Sequence, residues 1–170
     1  MKKEIRELFP NWINETDKKY DLILGDDVDS VVSSSLLETI TNSNWKVNYF
    51  YDFKNFYRHE KTENKTIGVD MAFLKSRCFD NHISKRTKND IHNELCANLN
   101  IVHNISCENY TSKYSMSTLM LIMSLYDIPF LVVYVFFVSF PLNLLFILSY
   151  LSTYFFPNPG EANIIGLYSL

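Results

Sequence analysis

The chain has 170 residues and a formal net charge of −3, which suffices for one domain with its own core and demands no second. That charge gives no global electrostatic case for binding nucleic acid, although Lys85, Arg86 and Lys88 make a local basic group. The odd set Cys78, Cys96 and Cys107, without a CxxC unit or an N-terminal signal segment, fits free thiols in a reducing compartment, so the expected location is cytoplasmic.

In chain order, residues 1–13 read as a short amphipathic lead-in broken near Pro10. Asp21 to Gly25 reads as a buried strand, and Ser30 to Thr41 as a helix that Asp29 or Ser30 can cap. Trp45 to Tyr51 (WKVNYFY) alternates as a second strand, 54–65 is a polar loop or short exposed helix, and TIGV at 66–69 is a third strand ending at Asp70. Residues 87–99 read as a helix with a solvated face carrying His92, and a further helix starts at Ser117 or Thr118 and ends near Tyr126. Asparagine is abundant beside Lys, Ile, Tyr and Phe, a composition that fits an AT-rich coding sequence from a bacterium or phage.

No Asp, Glu, Lys or Arg occurs from Ile128 through Gly160. This run is long enough to span a bilayer, but Pro141 divides it and Asn143 follows. The favoured reading is a buried strand at 130–138 followed by a buried helix at 142–154. Membrane association is a second reading, and a surface covered by a protein partner or another copy of the chain is a third. The expected organisation is a core over 1–127, an apolar strand-helix or membrane- or partner-facing segment over 128–156, and a tail over 157–170.

Strands alternating with helices imply an α/β fold, a mostly parallel sheet with flanking helices, whose functional groups gather beyond the carboxyl ends of the strands. Acidic residues fall there repeatedly: Asp26, Asp27 and Asp29 after the first strand, Asp70 after the third, then Asp80 with His82. Hard divalent ions take oxygen ligands, and Mn²⁺ also accepts imidazole. Crowded carboxylates repel one another, and a cation relieves that repulsion. The competing reading is a solvated helix-capping turn at DDVDS.

The segments LILGDDVDSVVS, IGVDMAF and CFDNHIS resemble the first three motifs of the DHH phosphoesterase superfamily, over about residues 20–85. The resemblance implies a parallel-sheet N-terminal domain with two Mn²⁺ or Mg²⁺ ions. It makes Asp27 a ligand of the first ion, Asp29 of the second and Asp70 the bridge, with Asp80-Asn81-His82 as the third signature. Gly25 stands where that family has a histidine, with Asp26 as a substitute ligand, and Asn81 stands where a ligand histidine is usual. Asp127 is the candidate for a fourth-motif ligand. The function expected is a divalent-metal phosphoesterase, a phosphodiesterase or nuclease-like hydrolase using metal-activated water. Asp27, Asp29, Asp70 and His82 would be catalytic, and the substrate a nucleotide, oligonucleotide or polyphosphate. The alternative is an inactive interaction protein, oligomeric or membrane-associated through 128–156. No P-loop motif is present, and Cys78 reads as a buried thiol rather than a nucleophile.

Overall fold

A computed structural model describes residues 1–129; the strand expected at 130–138, the helix expected at 142–154 and the tail lie outside them. Six strands form one sheet: β1 (Tyr20–Gly25), β2 (Trp45–Tyr51), β3 (Phe56–Arg58), β4 (Lys65–Val69), β5 (Arg77–Phe79) and β6 (Cys96–Ala97), in the spatial order β3-β2-β1-β4-β5-β6. Short helical turns at Lys3–Arg6 (α1), Asn11–Asn14 and Cys107–Ser112, helices α2 (Val28–Ile40) and α4 (Thr118–Leu125), and the one-turn α3 (Leu99–Val102) complete it.

Every residue of β1 is buried, as a strand paired in parallel on both sides requires. Its neighbours are β2, with Tyr20 opposite Trp45, and β4, with Tyr20 opposite Lys65. The order of the strands reverses at β1, since the chain moves from it to β2 on one side and later to β4 on the other. That reversal opens a crevice at the carboxyl ends of β1 and β4. Leu22, Ile67, Val69 and Phe79 pack with Leu37 of α2 and Leu121, Ile122 and Leu125 of α4. Trp12 closes this core, its ring edge-on to Phe79 at 5.0 Å and its indole N–H donating to Leu95 O at 2.9 Å.

The expected fold is corrected at several points. The sheet is mixed, because β3 pairs antiparallel with β2 inside the stretch read as a polar loop. Among the described residues no helix is long and apolar enough to cross a membrane, so the membrane-associated form of the fold and the expectation of a cytoplasmic protein with membrane association are not carried forward. No helix forms over 87–95. There Asp90 accepts from the backbone amides of Arg86 and Thr87 at 2.8 and 3.0 Å, and Asn93 donates to Phe73 O and Ser76 O at 2.8 and 2.7 Å. Side chains of this kind offer the backbone an alternative to helix, and here they prevail.

Helix α2 starts earlier than expected because Asp27 is its cap: an extended backbone there lets the carboxylate accept from Ser30 N at 2.8 Å. The link from β4 to β5, residues 70–76, is shorter than the dozen or so residues that a parallel crossover ordinarily takes. Asp70 turns the chain with φ of 59°, and the amides of Asp70 and Met71 both donate to Phe79 O. Aspartate tolerates that left-handed conformation better than most residues.

Candidate metal centre

Ser30, fully buried at the start of α2, accepts from Gly25 N and donates to Val69 O, both at 2.7 Å. One hydroxyl thereby ties the ends of β1 and β4 together at the crevice. The cavity above them has a volume of about 830 Å³ and is lined by Gly25, Asp27, Asp29, Asp70 and His82 together with Tyr51, Phe53, Phe56, Met71, Ala72 and Phe73.

Asp70, Asp80 and His82 form a cluster whose ligand atoms lie within 4.8 Å of one another, an arrangement able to hold a metal ion. Asp80 is fully buried, Asp70 half-buried and His82 exposed. His82 Nδ1 stands 2.6 Å from Asp80 Oδ1 and 4.0 Å from Asp70 Oδ1. Cis ligands on an ion with bonds of about 2.1 Å are roughly 3 Å apart, so small adjustments accommodate one. In the ion-free protein a proton on Nδ1 bridges His82 to Asp80, and an ion held by Nδ1 would take that proton's place. The other Asp80 oxygen accepts from Asn98 Nδ2 at 3.0 Å, and the same amide donates to His82 O at 2.8 Å.

Burial, reinforced by the Asp29 and Asp27 charges, pushes the Asp70 carboxyl up to about 6 against an opposing hydrogen bond from Thr118. The bond to Asp80 raises His82 to about 8 against the effect of its own burial. The site is therefore one in which acidic groups are held close at an energetic cost that a cation would relieve.

Asp29 has a different role from the one expected. Its two oxygens accept from Leu119 N at 2.9 Å and Thr118 N at 2.8 Å, so it caps α4. Thr118 Oγ1 donates in turn to Asp70 Oδ1 at 2.5 Å, which links the helix to the Asp70–Asp80–His82 cluster. Asp27 lies on the cavity wall with one oxygen committed to Ser30 N. Asp26 is exposed and does not line the cavity. Asp127 lies beyond the far end of α4, where it binds the Met1 amine at 2.7 Å and faces Arg6 at 3.9 Å. Asn81 does not face an ion site: its amide donates to Tyr114 O and Met116 O, and its oxygen accepts from Asn100 at 3.2 Å.

Asn98, Phe53 and Phe56 carry no motif in the sequence, and Ser30 and Thr118 read there only as helix starts. Asn98 had a signal, since it follows a strand at the same end of the sheet as Asp80. Phe73 depends on Gly68: a Cβ there would come within 2.5 Å of its ring. Gly68→Ala is expected to drive the Phe73 ring out of the cavity while β4 remains paired. A crystal structure of the variant with an unmoved ring would contradict this.

Comparison of the chain with models of protein families, with curated proteins and with solved structures finds no match in any of the three.

Proposed function

We propose that the protein is a divalent-metal-dependent phosphoesterase, with Asp70, Asp80 and His82 holding Mn²⁺ or Mg²⁺. The observation that carries this reading is the position of the cluster: Asp70 and His82 line a cavity at the switch point of the sheet, with Asp80 buried behind them. Two carboxylates and an imidazole suit a hard or borderline ion. A bound ion would neutralise phosphoryl charge and acidify a water molecule. Asp80, itself held by Asn98, orients His82; Thr118 orients Asp70. A second ion would have Asp27 and Asp70 at its disposal, with Asp29 committed to α4. The reading places the chain with the DHH-like phosphoesterases, supported by three carboxylate-bearing segments that follow β1, β4 and β5. Nucleotides, oligonucleotides and polyphosphates are the proposed substrate classes.

Mn²⁺ calorimetry followed by hydrolysis of bis(4-nitrophenyl) phosphate tests the reading. Saturable binding and Mn²⁺-dependent turnover are expected; a well-folded protein without binding would refute it. A second reading, a non-catalytic interaction protein, is favoured by the structural bonds that occupy Asp29 and Asn81. It predicts Mn²⁺ binding without turnover. Its expected partner surface, 128–156, lies largely outside the described residues.

The ion must displace protons from its ligands. With His82 raised to about 8 and Asp70 to about 6, one proton leaves on binding between those values and a second below the lower one. Mn²⁺ affinity is therefore expected to rise about tenfold per pH unit from 6 to 8 and level off above it. A flat profile across that range would remove His82 from the ligand set.

A further inference from the structure

The cavity has apolar walls that ion binding does not use. On one side the β2–β3 hairpin supplies Tyr51, Phe53 and Phe56; on the other, the segment after β4 supplies Phe73. Tyr51 lies 5.4 Å from Phe53 and 6.3 Å from Phe56, ring to ring, and Tyr49 stacks on Phe56 at 5.3 Å. Gly25 contributes no side chain between them. The volume, about 830 Å³, falls within the range of small-molecule sites.

Phe53 is the telling residue. It is 69% exposed and has φ of 65°, a conformation in which a bulky side chain is an outlier and asparagine or glycine is at home. The turn is enforced by Asp52, whose Oδ1 accepts from Lys54 N at 2.9 Å and Asn55 N at 2.6 Å. A large ring is thus held in an unfavourable backbone state, in water, at the edge of an acidic cavity. Strain of this kind points toward function rather than packing.

We propose that Tyr51, Phe53, Phe56 and Phe73 bind a flat aromatic ring carried by a phosphoester, and so select which phosphoesters the metal centre accepts. The position of the phosphate rests on the metal-dependent reading above; the ring site does not. Aromatic faces stack on planar rings and gain nothing from an inorganic phosphate chain. The inference therefore narrows the substrate to ring-bearing esters and disfavours polyphosphate. Phe53 is the specificity residue, because its one ring contact among the described residues, with Tyr51, leaves it 69% exposed on the cavity lining in a strained backbone state.

The test is equilibrium binding of AMP, phenyl phosphate and ribose 5-phosphate in saturating Mn²⁺, on the full chain and on Phe53→Asn. Stacking makes the ring-bearing phosphates about tenfold or more tighter than ribose 5-phosphate. Phe53→Asn suits the turn, so it should keep or raise the melting temperature and leave the Mn²⁺ isotherm unchanged while that preference falls to within about threefold. A nucleobase as the natural ring makes AMP the tightest; a simple aryl ester makes phenyl phosphate its equal. Equal affinity for all three in Mn²⁺-loaded protein overturns the proposal. Should Mn²⁺ not bind, the hydrolase reading falls on its own, and uncharged adenosine reads the ring site directly. Binding of adenosine that Phe53→Asn abolishes then supports the ring site, and no binding overturns it.

Discussion

Asp70→Asn is expected to abolish Mn²⁺ binding and, in the ion-free protein, to raise the melting temperature above pH 6. The first effect follows from removing one of the two charged ligands among three. The second follows from the carboxyl of Asp70, which burial and the nearby Asp29 and Asp27 charges raise from 3.8 to about 6. Protons therefore favour the folded state: stability falls as pH rises from about 4 to 6, and the full cost is carried above 6. Asparagine removes that cost, accepts the Thr118 hydroxyl as before and tolerates the positive φ. The gain is about 1–2 kcal/mol, discounted for partial exposure, or about 3–6 °C at neutral pH. It should vanish near pH 4. Thermal melts across pH 4–8, with calorimetry at pH 7.5, check both effects. A variant that melts lower at pH 7.5 would show that Asp70 serves the fold rather than an ion.

Asp29→Ala is expected to act in the opposite direction and cost about 3 kcal/mol of stability, or roughly 6–12 °C in melting temperature. Both oxygens accept from amides at the start of α4, and Thr118 is fully buried there. Removing the carboxylate strands two donors and takes a negative charge from the positive end of a helix. Because Thr118 also positions Asp70, some Mn²⁺ affinity should be lost as well, but less than in Asp70→Asn. Asp29→Asn keeps one acceptor and should fall between the two. An Asp29→Ala protein that melted normally but bound no Mn²⁺ would make Asp29 a ligand and reverse this assignment.

These contrasting roles mark what local sequence carries. An apolar run that ends in acid, as in LILGDD and TIGVD, is a strand emerging at its carboxyl end, and the pattern lies within a few residues. What Asp29 does there is set by Thr118 and Leu119, far away in the chain, and no spacing near DDVDS announces them. Asn81 and Asn98 show the same limit: both are polar residues near β5 or β6, yet only Asn98 is turned toward Asp80. Periodicity over 87–99 suggests a helix, but the side chains of Asp90 and Asn93 claim backbone groups for themselves, and periodicity does not register that competition. Strand β3 was hidden because three residues show too little alternation to register. The apolar pattern was legible where a strand is buried on both sides and faded at the sheet's edge.

The central place of β1 also orders events in time. Leu22, Ile23 and Leu24 leave the ribosome early, yet one flank of their strand finds no partner until Lys65–Val69 has been synthesised. Until then the nascent chain presents an open apolar edge, the kind of surface that slows folding and invites intermolecular pairing. Competence to take up an ion comes later still, because Asp70 and Asp29 both wait for Thr118. The centre is thus completed by almost the last of the described residues, and a partly synthesised chain has no organised place to capture metal.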